Sequence, residues 1–267
     1  MNDGHVHYEV VDGVATILFD RPSAHNAMTW KMYGELSAVC DVITNDPSIL
    51  VAVFRGVGGE AFVAGTDIEQ FVEFSTGDDG LNYERRIDAV VDKLERVPVP
   101  TIAVIEGWCM GGGLILAAAC DFRIATTSAR FGVPIARTLG NCLSSANMRR
   151  VVDAFGVSNA KRLLIAAESI DAVSCHQLGF VHDCIDQAKL DENIVKFCRR
   201  LKSHAPATMW AAKESIRRIS AEGSAQVDDL IQFCYSSKDF REGVTSFLSK
   251  RPANWGPRPP EMNNDET

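Results

Sequence analysis

The apolar positions change period several times along the chain, and each period predicts an element. "VHYEVVDGVATILFDRP" predicts two short strands around Asp12-Gly13, a favoured hairpin turn pair. "AMTWKMYGELSAVCDVITND" places Met28, Met32, Leu36, Val39 and Ile43 at helical spacing. "ILVAVFRGVG" and "TIAVIEG" are apolar runs that end at glycine and read as buried strands. Between them, "YERRIDAVVDKLERVPVP" is an amphipathic helix closed by Pro98 and Pro100. "LILAAAC" reads as an interior helix, and "FRIATTSARFGVP" returns to strand. Strands and helices alternate to about residue 185, which predicts an α/β core with parallel strands. Beyond residue 187 the patterns are only helical, as in "LDENIVKFCRRLKSHA", "ATMWAAKESIRRIS" and "VDDLIQFCYSSKDFREGVTSFLSKR". The chain therefore divides into a core over 1–186 and a helical region over 187–267. The last stretch, "RPANWGPRPPEMNNDET", is proline-rich and then polar, and is expected to fray.

Composition narrows the classes without choosing one. With 267 residues, 46% hydrophobic and 23% charged, the chain is long enough to bury a sizeable core. The formal net charge is −8 and no basic block of five occurs, which argues against nucleic acid or an anionic membrane as partner. No apolar run reaches the roughly 18 residues of a spanning helix. "MNDGHVHYEV" lacks the basic-then-apolar order of a signal peptide. The eight cysteines form no CxxC pair and read as reduced core thiols of a cytoplasmic protein. His5 and His7 read as surface residues of a terminal strand, not as metal ligands, and no metal is expected.

The chemistry concentrates in two glycine-rich stretches. "GWCMGGGLILAAACD", Gly107 to Asp121, follows a strand and opens a helix. Such a helix start offers backbone N–H groups with no intrahelical acceptor. It is not GxGxxG and no P-loop lysine follows, which argues against a nucleotide. "GVGGEAFVAGTDIEQF", Gly56 to Phe71, repeats the order strand end, glycine turn, helix start, with Asp67 as a helix N-terminal residue. Two such ends, if they converge, supply two N–H donors to one oxygen. That is an oxyanion hole, worth roughly 3–4 kcal/mol per donor.

"FDRPSAHNAM", "GGEAFVAGTDI", "VPTIAVIEGWCMGGGLILAAACDFRIATTSARFGVP" and "REGVTSFLSKRPANW" together resemble the successive signatures of the crotonase (enoyl-CoA hydratase/isomerase) superfamily, from about residue 5 to 256. The resemblance implies a spiral of ββα units over 1–186. It implies a C-terminal helical region over 187–267 that serves trimer and coenzyme A contacts, in a homotrimer or a dimer of trimers. It further implies an acyl-CoA thioester as substrate, with no other cofactor. The thioester oxygen would be held by the N–H groups of Thr66 and Gly112. Ala24, His25, Ala64, Phe247 and Lys250 would contact coenzyme A.

The acids that the hydratases use are missing. Their two glutamates correspond by resemblance to Ile115 and Ile135, the second in a loop, "VPIARTLGN", that is one residue longer than the family's usual pattern. No Asp or Glu lies between Glu106 and Asp121, or between Asp121 and Asp153. Proton transfer beside a thioester needs a base within reach, so efficient hydration is not expected. Arg137 and Asn141 remain as pocket candidates: Arg137 for a substrate carboxylate or as a surface arginine, Asn141 for an oxyanion or as a turn residue. Cys142 reads as a core thiol. A decarboxylase or another lyase fits this residue set. The rivals are a thioester hydrolase and a non-catalytic acyl-CoA-binding or oligomer-partner protein.

Overall fold

The computed structural model describes residues 3–223 and 226–258. In chain order, β1 (His5–Val11) and β2 (Val14–Asp20) form the expected hairpin and lead into α1 (Trp30–Asn45). β3 (Val51–Gly56) and β4 (Ala61–Val63) precede α2 (Gly77–Glu95). β5 (Thr101–Ile105) and β6 (Trp108–Met110) precede α3 (Gly112–Ala119). β7 (Phe122–Thr126) and β8 (Arg130–Gly132) precede α4 (Ile135–Thr138) and α5 (Ser145–Leu164). β9 (Ser169–Asp171), α6 (Ala172–Gln177) and β10 (Asp183–Ile185) close the core. Four helices follow: α7 (Leu190–Lys202), α8 (Pro206–Glu222), α9 (Asp228–Ser236) and α10 (Lys238–Leu248).

Each strand–strand–helix unit after the hairpin gives its first strand to one sheet and its second to another. The six-stranded sheet runs β1-β2-β3-β5-β7-β10 and the four-stranded sheet β4-β6-β8-β9. Pairing is parallel except at β1/β2 and β8/β9. The chain thus winds as a spiral of ββα units, the architecture that the sequence signatures imply.

The apolar runs have a direct explanation in this arrangement. Along β3, Ala52 and Phe54 face the main core between the sheets and α1–α3, while Val51 and Val53 face the opposite side. Ile102 and Val104 of β5 and Ile124 of β7 join them there, under Leu190, Cys198 and Leu201 of α7. Central strands covered on both faces have no polar side to alternate with. β2 keeps the alternation, with Ala15, Ile17 and Phe19 fully buried between partly exposed neighbours.

Helix starts differ from expectation in two places. α2 begins two turns before the apolar period does, because Thr76 and Asp79 form a reciprocal capping box. After "GGEAFVAGTD" there is no α-helix, only a 3-10 turn at Ile68–Phe71 capped by Asp67. The C-terminal segment read as one helical pattern is two helices, α9 and α10, broken at Ser237, whose side chain caps α10. The proline-rich stretch that was expected to fray is docked as far as it is described. Trp255 Nε1 donates to Ser203 C=O at 2.7 Å, and the buried Arg258 donates to the carbonyls of Ile43 and Thr44. Residues 259–267 lie outside the described residues. Among the described residues no helix is long and apolar enough to cross a membrane.

Candidate active site

The two glycine stretches do converge. Met28 N–H donates to Gly65 C=O at 2.8 Å, and Asp67 N–H donates to Met28 C=O at 2.9 Å, a parallel bridge around Thr66. In such a bridge the N–H of the central residue points to the opposite edge. Gly65 makes the turn at φ +109°, a conformation that side chains rarely adopt. On the other segment, Gly111 N–H donates to Gly132 C=O at 2.8 Å and α3 starts at Gly112. The first N–H of a helix has no intrahelical acceptor. Neither the Thr66 nor the Gly112 N–H has an acceptor among the described residues.

Bare backbone is what lets the segments approach. A Cβ on Gly113 would lie 2.0 Å from Val63 C=O, inside any tolerable contact. One on Gly112 would lie 3.3 Å from Thr66 Oγ1 and 3.9 Å from the Gly65 carbonyl carbon. Glycine therefore packs α3 against the end of β4, and the packing brings the segments that carry the Thr66 and Gly112 N–H groups together.

Side chains that sequence reasoning missed surround this point. Tyr33 of α1 and Tyr83 of α2 both hydrogen bond to Thr66 Oγ1, at 2.8 and 2.9 Å. Tyr83 packs edge-on against Trp30, Phe71 and Phe74, and the Arg86 guanidinium lies 3.8 Å over the Trp30 ring. Burial pushes the Tyr83 phenol up to about 12 and raises Tyr33 further. Both phenols are therefore protonated at neutral pH. Nothing in the spacing of the sequence marks either tyrosine.

Ile115 lies one turn into α3 and is fully buried in the main core, and Ile135 at the start of α4 packs partly buried against the same cluster. Acids reach the following loop from α2, again unseen in the sequence. Glu84 accepts the Ser144 N–H at 2.8 Å, and Asp88 accepts from Ser144 Oγ and Asn147 Nδ2. Desolvation raises the Glu84 carboxyl. These acids tie the loop before α5 to α2.

Other sequence candidates fall in three groups. Ala24, His25 and Ala64 form one cluster close to Thr66: Ala24 ends the 3-10 turn Pro22–Ala24, and Ala64 N–H donates to His25 C=O at 3.0 Å. Asn26 holds this loop and was missed. Its buried amide accepts from Arg21 N–H at 2.9 Å and donates to Val57 and Ala61 C=O at 3.0 and 2.8 Å. Arg137 and Asn141 are exposed beside Ile135, on α4 and the loop after it, and their side chains make no hydrogen bond or ion pair among the described residues. Cys142 corrects the core-thiol expectation, because it is exposed on that loop, whereas five of the eight cysteines are buried. Phe247 and Lys250 belong to the end of α10, which packs on α8 and α9. Phe247 is exposed, and Lys250 takes the left-handed position (φ +54°) past the helix end. Asp67 caps its 3-10 turn and pairs with Arg21 at 2.8 Å, as a helix N-terminal residue would. His5 and His7 lie half-exposed against Glu35 and Asp20.

The chain is similar to known proteins over most of its length. Residues 9–258 match the enoyl-CoA hydratase/isomerase family. The chain is 30% identical over 245 residues to a short-chain-enoyl-CoA hydratase of Clostridium acetobutylicum, covering 89% of this chain and 92% of that one. It is 29% identical over 242 residues to the 2,3-dehydroadipyl-CoA hydratase of Escherichia coli, covering 89% and 93%. A solved enoyl-CoA hydratase/carnithine racemase from Magnetospirillum magneticum superposes with a TM-score of 0.87 at 27% identity, covering 96% of each chain. With a spiral of ββα units, two converging glycine turns and a match over nearly its whole length, the chain belongs to the enoyl-CoA hydratase/isomerase family of the crotonase superfamily.

Proposed function

We propose that this protein is an enzyme that binds an acyl-CoA thioester, holds the thioester oxygen between the N–H groups of Thr66 and Gly112, and stabilises an enolate there. The observation that carries this reading is the convergence of those two unpaired donors at the end of β4 and the start of α3. The relatives' names share a coenzyme A thioester and differ in the acyl part, which supports the thioester as the common element. Ala24, His25 and Ala64 lie beside the hole and suit the coenzyme A arm. Phe247 and Lys250 suit its nucleotide end, in a homotrimer or a dimer of trimers where α10 meets a neighbouring copy.

The reaction we propose is a lyase step that needs no carboxylate base, with decarboxylation the best fit. Breaking a bond from the α carbon to a carboxylate releases carbon dioxide and leaves the electron pair on the enolate. The hole stabilises that charge, and a proton from solvent completes the product. Arg137, exposed and without a partner among the described residues, would hold the departing carboxylate. Hydration would instead need water held and deprotonated where this chain carries Ile115 and Ile135.

Purified protein tested against crotonyl-CoA, by loss of enoyl-thioester absorbance, and against methylmalonyl-CoA, by carbon dioxide release, decides between the reactions. The expected result is carbon dioxide release with crotonyl-CoA hydration at least about 10²-fold below a glutamate-bearing relative. Hydration at the relative's rate would refute the proposed reaction.

A further inference from the structure

The hydroxyls beside the hole contain one proton more than their own hydrogen bonds use. Tyr33 Oη, Thr66 Oγ1 and Tyr83 Oη form a chain of three hydroxyls joined by two bonds, of 2.8 and 2.9 Å. Each hydroxyl carries one proton, so two are used and one is left, whichever way the chain is oriented. Tyr33 is only 2% exposed, and its hydroxyl has no acceptor except Thr66 among the described residues. A buried donor left unsatisfied is costly, so Tyr33 donates to Thr66. The unspent proton then sits on Thr66 or Tyr83, at the half-buried end of the chain. The chain of hydroxyls lies against Gly112: a Cβ there would stand 3.0 Å from Tyr33 Oη and 3.3 Å from Oγ1 of Thr66, the residue whose N–H lines the hole.

We propose that this proton is a third donor to the acyl thioester oxygen, beside the two backbone N–H groups. The inference rests on the acyl-CoA reading above and adds to it a hydroxyl donor supplied by Thr66 and Tyr83 and aimed outward by Tyr33. The high position of the buried phenols keeps the donor protonated across the neutral range.

The test uses hexadienoyl-CoA, a conjugated thioester whose absorbance moves to the red when donors polarise its carbonyl. Thr66→Val with Tyr83→Phe removes both outer hydroxyls while keeping the two backbone N–H groups and the ring packing. The expected outcome is a smaller red shift and roughly 5–10-fold weaker binding of hexadienoyl-CoA, with the affinity for free coenzyme A unchanged. Thr66→Ser restores the hydroxyl and should keep the full shift. The wild-type shift should be flat from about pH 6 to 9, whereas an imidazole donor would titrate there. If the double variant does not fold by circular dichroism, Thr66→Ala with Tyr83→Phe serves with the same expectation. A wild-type red shift and affinity in the folded double variant, or a shift that titrates, would overturn the third donor alone. A wild-type protein that binds neither hexadienoyl-CoA nor coenzyme A would overturn the acyl-CoA reading and the third donor with it.

Discussion

Gly113 is the residue on which the site's packing depends most visibly. Its missing side chain leaves the 2.0 Å that a Cβ would have to Val63 C=O. Because the clash is with the Val63 backbone, which cannot swing aside, Gly113→Ala should destabilise the fold by about 3 kcal/mol, read as a lower denaturant midpoint. Gly112→Pro tests the donor itself: a folded variant should lose turnover, and full turnover would move the hole elsewhere. Tyr83 sets a pH dependence of stability. Its pKa is raised from 10.0 to about 12 in the folded state, so between those values the unfolded chain has lost a proton that the native one keeps. Stability from this group is complete below pH 10 and falls as pH rises towards 12. Chemical denaturation across that range should show a steeper decline in wild type than in Tyr83→Phe, and equal slopes would argue that the phenol is not desolvated. At this scale the two converging glycine turns were legible and their surroundings were not. Backbone N–H groups come with any residue, so glycine turns marked them, whereas Tyr33 and Tyr83 reach Thr66 from 33 and 17 residues away.

Elements were legible where burial has a simple period. β3, β5 and the hairpin follow from their apolar patterns, since the six-stranded sheet is covered on both faces in its middle and only half-buried at β2. The start of α2 was not legible from apolar period, because its first two turns are polar and a capping box holds them. Thr76→Ala should cost about 1 kcal/mol and fray those turns, seen as faster amide exchange over residues 77–82. The loop around His25 was also opaque. His25 and Asn26 take left-handed conformations at φ 49° and 58°, and the Asn26 amide fixes them through three backbone partners. Asn26→Ala would strand the Val57 and Ala61 carbonyls, and we expect a loss of about 1–3 kcal/mol of stability together with weaker coenzyme A binding. Unchanged coenzyme A affinity in a folded Asn26→Ala protein would separate this loop from the ligand.

At the scale of the whole molecule, the fold follows from the order of ββα units and the helical region from its 3.6-residue period, but α7 belongs physically to the sheet it covers. The outer helices leave apolar side chains uncovered: Phe247 is 83% exposed and Leu248 76%. A protein assembled through α10 should elute and scatter light as three or six copies, with Phe247→Glu shifting it towards smaller species. Lys250→Ala should weaken coenzyme A binding by about 0.5–3 kcal/mol, with the loss shrinking at high salt. The proposed enolate chemistry requires a thioester oxygen lying between Thr66 and Gly112. The infrared difference spectrum of bound butyryl-CoA, carbon-13 labelled at its carbonyl, reads that contact directly. An oxygen held by both N–H groups should move the carbonyl stretch to lower frequency on binding, and Gly112→Pro should return it towards the free value. A stretch at the free-thioester frequency in the fully bound wild-type protein would contradict that contact.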